Sequence, residues 1–250
     1  MKILLTNDDG YNAPGILALY EMLRHQNEVI LIAPDRERSA VSHGITLNGP
    51  MRIDKFKLDD DGKGYSITGT PVDCVKLGLY ECFTTPPDLV ISGINPGCNI
   101  GVDINYSGTV AAAREAALNG ISGMAVSIKT GKIMDFQGMA RFIASLVNKV
   151  CDDGLFPGTF LNINAPAVLF NELPGVKVTR QALNNVSKQF EKRIDPREKS
   201  YYWYGGIDHV DGEPDTDVYA LAQNYISITP IQCDTTDYKT MELLEPYKLL

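Results

Sequence analysis

Short, almost purely apolar runs alternate along the first two thirds of the chain with segments whose apolar residues recur every three or four positions. The runs at 2–7, 28–34, 88–95, 123–128 and 159–165 are rich in Ile, Val and Leu, the composition of strands buried on both faces of a parallel sheet. Between them, Ile16, Leu19, Tyr20 and Leu23 fall at i, i+3, i+4 and i+7, and Pro14 suits a first helical turn. Val72, Val75, Leu79 and Cys82 form a second stripe, and the Ala-rich segment 107–119 predicts a helix closed by Gly120. The segment from Phe136 to Val150 has the strongest helical period of all. Strand and helix in alternation predict a Rossmann-like, doubly wound, mostly parallel α/β sheet.

After about Leu183 the pattern changes. Residues 184–199 carry five basic side chains (Lys188, Lys192, Arg193, Arg197, Lys199), and Tyr201-Tyr202-Trp203-Tyr204 follow before an acidic loop over 208–217. A protruding β-hairpin fits this segment. Four consecutive aromatics are costly to leave in water, so the hairpin reads as an oligomerisation arm. A return strand at 225–231 and a short helix at 235–244 complete the chain. The expected organisation is one α/β domain: a core over 1–183, an arm over 184–217 and a return over 218–250.

Composition narrows the function. The chain has 250 residues and a net charge of −8, which argues against broad contact with a nucleic-acid backbone, duplex included. An acidic protein that binds an anion needs a metal or a local basic pocket. Five scattered cysteines without a CxxC pair, and three dispersed histidines, match neither a disulfide framework nor a zinc site and point to the cytoplasm. The opening apolar run is too short for a signal peptide, and no apolar stretch is long enough to span a membrane.

The candidate chemistry lies where strands end, because ligands of open α/β sheets bind beyond the strands' carboxyl ends. The first run closes in Asn7-Asp8-Asp9-Gly10. Asp8 and Asp9 point to opposite faces unless the chain turns at once, and Gly10 permits that turn. Two carboxylates about 5 Å apart repel by roughly 3 kcal/mol at an effective dielectric near 20. A hard divalent cation, Mg²⁺, Mn²⁺ or Ca²⁺, reverses that sign; a plain solvated turn, with Asp9 or Asn12 capping the next helix, is the competing reading. The second run leads into Arg36, Arg38, Ser39, Ser42 and His43, where arginines can clamp phosphate or form a solvated charge cluster. The third leads through Asn95 and Asn99 into Ser107-Gly108-Thr109, a helix start that can receive an anion or, through Ser107, simply cap itself.

Asn7-Asp8-Asp9-Gly10, Ala33-Pro34-Asp35-Arg36 through Ser39 and Ser42, Ser92-Gly93-Ile94-Asn95 through Tyr106-Ser107-Gly108-Thr109, and Tyr225-Ile226-Ser227-Ile228-Thr229-Pro230 together resemble the stationary-phase survival protein E (SurE) family over almost the whole chain. The resemblance implies a metal-dependent phosphatase acting on nucleoside 5′- and 3′-monophosphates and on short polyphosphate, with one divalent ion per subunit and an arm-mediated homodimer or homotetramer. It places the metal on Asp8, Asp9, Ser39 and Asn95 and the phosphate on Asn99, Ser107, Gly108 and Thr109; with an ion so held, either Asp8 or Asp9 could position or deprotonate the attacking water. His43 departs from the small polar residue expected at its position. Two rivals remain at this point. One is a covalent aspartyl-phosphate mechanism, disfavoured because the acids are adjacent and followed by Gly; the other is a nucleotide-binding regulator without turnover. Neither His43 nor His209 is marked as the leaving-group acid by more than its chemistry.

Overall fold

The computed structural model describes residues 1–58, 62–183, 188–207 and 212–245. Its strands are β1 (Lys2–Thr6), β2 (Glu28–Pro34), β3 (Ile53–Lys57), β4 (Lys63–Ile67), β5 (Leu89–Pro96), β6 (Ser122–Ile128), β7 (Thr159–Ala165), β8 (Val176–Val178), β9 (Lys188–Ile194), β10 (Ser200–Ile207) and β11 (Ile226–Gln232). The helices are α1 (Pro14–Leu23), α2 (Pro71–Glu81), α3 (Gly108–Leu118), α4 (Phe136–Asp153), α5 (Asp217–Ala222) and α6 (Tyr238–Leu244).

Nine strands form one sheet in the order β3-β4-β2-β1-β5-β6-β7-β11-β8. From β4 through β7 every neighbouring pair is parallel, whereas β3 and β11 run antiparallel to their neighbours β4 and β7. Alternate side chains feed opposite cores. Ile3, Leu5, Leu31, Ile91 and Val126 face α1 and α4, meeting Ile16, Leu19, Leu23, Met139 and Ile143. Leu4, Ile30, Ile32 and Val90 face α2 and α3, meeting Cys74, Val75, Ala112 and Ala116. Burial on both faces is why these strands read as continuous Ile/Val/Leu runs. The mostly parallel α/β architecture expected from the sequence is the one observed, and Gly120 sits just past α3 at φ 74°, the left-handed position of a C-terminal cap.

β3, β4 and β8 have no counterpart among the sequence expectations. β3 is an edge strand of which Asp54, Lys55 and Lys57 are exposed, so its pattern is that of a charge-protected edge rather than a core strand. The basic, aromatic segment forms the expected antiparallel hairpin, β9 with β10. Of the acidic loop, residues 208–211, including His209, lie outside the described residues; Asp217 is no loop residue but the buried first residue of α5.

The chain leaves β1 toward β2 on one side and arrives at β5 on the other, so the carboxyl ends of β1 and β5 flank a topological switch point.

Candidate active site

Thr6 ends β1, and the chain then folds back within four residues. Asn7 Nδ2 donates to the Gly10 carbonyl oxygen at 2.9 Å and Asn7 Oδ1 accepts from the Gly10 N–H at 3.2 Å. Gly10 adopts φ 103°, a backbone state that L side chains rarely reach. That turn turns Asp8 and Asp9 toward one cleft of about 410 Å³, lined also by Glu37, Ser39, Asn95, Asn99, Asp103, Tyr106 and Ser107. The capping alternative is not realised: Ala13 occupies the cap of α1 and makes no side-chain cap bond.

The two aspartates live in different surroundings. Asp8 is buried, and its carboxylate accepts from the Thr109 hydroxyl at 2.5 Å and from the Thr109 N–H at 3.2 Å. Burial raises its pKa, against the Thr109 bonds that lower it. Gly108 makes this close approach feasible, since a Cβ there would lie 3.0 Å from the Asp8 Cβ. Asp9 has no such support: its Oδ2 is buried without a hydrogen-bond partner. Burial, then the charges of Asp8 and Glu37, push the Asp9 carboxyl up to about 7.

Around them, Asn95 donates from Nδ2 to the Gly97 carbonyl oxygen at 2.7 Å, which fixes the orientation of its amide and leaves Oδ1 as the group for a cation. Ser39 donates its hydroxyl hydrogen to Glu37 at 2.5 Å, so its remaining capacity is that of an acceptor. Glu37 is a site residue that sequence reasoning missed, hidden inside a run of charged residues. Neither Arg36 nor Arg38 lines the cleft; Arg38 instead pairs with Asp35 at 3.3 Å.

On the opposite wall Asn99 is buried and held by its backbone. Its N–H donates to Asn164 Oδ1 at 2.9 Å, and its carbonyl accepts from Asn162 and Asn164. Its side-chain Nδ2 donates to Ser127 Oγ at 2.8 Å. Ser107 caps α3, accepting from the Val110 N–H at 3.1 Å, and also faces the cleft. Thr109 is fully buried, and its N–H and hydroxyl both donate to the Asp8 carboxylate, so in this structure it orients that carboxylate. His43 does not reach the cleft; it pairs with Glu115 at 2.9 Å.

The cleft therefore presents an oxygen donor set of two carboxylates, a hydroxyl and a carboxamide, with Glu37 and Asp103 beside it and no Lys or Arg in its lining. Such hard oxygen donors fit a divalent cation of the Mg²⁺, Mn²⁺ or Ca²⁺ kind, and the orphaned Asp9 oxygen is the atom a cation would satisfy.

Similarity to known proteins identifies the family. The model of the family described as Survival protein SurE matches residues 3–188. The protein named 5′-nucleotidase SurE of Desulfatibacillum aliphaticivorans is 47% identical over 250 residues, covering 100% of this chain and 99% of the relative. That of Syntrophobacter fumaroxidans is 44% identical, with complete coverage of both. Among solved structures, the SurE protein of Aquifex aeolicus superposes with a TM-score of 0.87 at 39% identity, covering 98% of each chain.

Proposed function

The chain belongs to the SurE family, and from that premise we propose that it is a divalent-metal-dependent phosphomonoesterase hydrolysing nucleoside 5′-monophosphates to nucleoside and phosphate. The observation that carries the reading is an acidic cleft, without a basic lining residue, at the switch point of the sheet. A phosphate ester is repelled by such a surface unless a cation stands between them.

In this reading Asp8, Asp9, Ser39 and Asn95 hold the ion. When bound, it polarises a phosphoryl oxygen and lowers the pKa of a water. Asp8, locked by Thr109, is a fixed ligand. Asp9 gives the ion its unpartnered Oδ2, and in this reading its other carboxylate oxygen orients the attacking water and takes its proton. Ser107, the Gly108 N–H and Asn99 receive the phosphoryl oxygens at the start of α3, where the helix end favours developing negative charge. These donors address the phosphoryl group alone, so 3′-monophosphates and short polyphosphate are further substrates in the same reading. Phe190, Tyr201, Tyr202, Trp203 and Tyr204 are all exposed on the β9–β10 hairpin, which supports its use as a homodimer or homotetramer arm. Five unpaired cysteines suit a reducing, cytoplasmic setting, and no helix among the described residues is long and apolar enough to cross a membrane.

The test is a panel of nucleoside 5′- and 3′-monophosphates assayed with Mg²⁺, Mn²⁺ or chelator. Ion-dependent phosphate release from the 5′ esters is expected. Tight nucleotide binding without release would instead establish a regulator, and ¹⁸O from water entering an aspartate in a single turnover would establish the covalent route.

A further inference from the structure

Helix α3 is built largely of alanine, yet its buried inner face carries Glu115, 5% exposed. A carboxylate in that position is costly unless fully partnered. Three donors converge on it: His43 Nε2 at 2.9 Å, Lys76 Nζ at 3.1 Å and Asn119 Nδ2 at 3.0 Å. Burial works to raise its pKa, but the bonds from His43, Lys76 and Asn119 outweigh that and hold it below the usual value. An ionised carboxylate only accepts, so the His43 hydrogen sits on Nε2; Nδ1 is buried without a partner.

His43 belongs to the segment that carries Glu37 and Ser39. That segment is strained, since Ala40 and Ser42 take φ values of 55° and 54°, and such states persist only where the surroundings over-determine them. The constraints are visible. The Arg38 N–H donates to the Asp8 carbonyl at 2.7 Å, and the Ser42 N–H to the Tyr106 carbonyl at 3.0 Å. Ser42 Oγ donates to the Asn105 carbonyl at 2.7 Å, and the Gly44 carbonyl accepts from the Thr70 hydroxyl at 2.7 Å. Within this set, His43–Glu115 alone reaches the middle of α3, the helix whose first turn holds Asp8 and faces the phosphate side of the cleft.

We propose that His43 is a positioning residue: through Glu115 it fastens the 36–46 segment onto α3 and so sets Ser39 and Glu37 against Asp8 and Asp9. The proposal rests on the phosphomonoesterase reading for its effect on turnover, but not for its effect on ion binding. Removing the His43 donor takes away the segment's tether to the middle of α3, and the ion site loses the fixed placing of its Ser39 side while the start of α3 is untouched.

The experiment measures Mn²⁺ affinity by calorimetry, and kcat and KM on a nucleoside 5′-monophosphate, for wild type, H43A, H43L and H43Q. H43A weakens Mn²⁺ binding by about 10- to 100-fold, the range found for groups that orient metal ligands. It lowers kcat and leaves KM little changed. H43Q, whose amide can donate to Glu115, restores most of both. H43L fills the space without the donor and behaves as H43A, so it decides the matter if H43A does not fold. Wild-type Mn²⁺ affinity in H43A or H43L overturns the proposal whether or not stability falls, as does H43Q performing no better than H43A. If wild type itself releases no phosphate, the functional reading fails, and the Mn²⁺ affinities still judge the brace.

Discussion

The two ends of the sheet carry similar hollows and different electrostatics. At the amino-terminal end of the strands a depression of about 430 Å³ is lined by Tyr20, Arg24, His25, Glu28 and Lys63 among others. Its charges are exposed and matched: Arg24 with Glu21 at 3.0 Å, Lys63 with Glu28 at 3.9 Å. At the carboxyl-terminal end a cleft of about 410 Å³ gathers Asp8, Asp9, Glu37 and Asp103 with no Lys or Arg among its described lining residues. Volume does not distinguish the two. What does is that one end leaves a carboxylate oxygen buried and unsatisfied, a cost that folding alone does not repay. Paired surface ions cost and contribute little; the buried, unpartnered oxygen of Asp9 identifies the end where an external ligand completes the structure.

Breaking the acidic end has the largest effect. D8N and D9N are expected to fold and to lose turnover by a factor on the order of 10³ or more, the scale seen when a central catalytic group is removed. Steady-state assays with saturating Mn²⁺ check this, and wild-type rates in either variant would erase the contrast between the two ends. T109V comes next. It removes the hydroxyl that fixes Asp8, costing about 1.5–3 kcal/mol of stability as a lost charge-assisted bond in a buried setting. Turnover should fall about 10- to 100-fold, less than for D8N, because the Thr109 N–H remains.

A subtler effect is on stability against pH in chelator. Burial first, then Asp8 and Glu37, raise the Asp9 carboxyl to about 7 in the folded chain, against about 3.9 when unfolded. Between those values the folded chain holds a proton that the unfolded chain has released, so the contribution of Asp9 to stability is full below about pH 4 and is lost as pH rises through about 7. Metal-free wild type should therefore lose melting temperature relative to D9N across that window; a constant difference would contradict the environment described for Asp9. The smallest effect belongs to the other end: R24A leaves the melting temperature within error, as an exposed pair allows.

The sequence shows the parallel core clearly because strands buried on both faces leave a signal in consecutive residues. The edges do not. Lys55 and Lys57 in β3 and the three residues of β8 are too polar or too short to stand out from loops. At the site, Asp8, Asp9 and Asn95 are legible because strand ends are where ligands bind, and Ser39 and Asn99 come from the resemblance. Thr109 is legible as a residue at the start of α3, but its bonds to Asp8 are not. Its partner Asp8 is distant in sequence, and only the approach of β1 to α3 shows that the helix N–H is already used. The same holds for His43 and Glu115, each unremarkable along the chain and informative only once the sheet and helices bring them to 2.9 Å.

The most direct measurement is calorimetric titration of Mn²⁺ into the metal-free protein near neutral pH, wild type beside D9N. One ion bound per chain is expected in wild type, and its loss, or severe weakening, in D9N. Absence of binding to wild type, or an unchanged isotherm in D9N, would show that the acidic cleft is not completed by a cation.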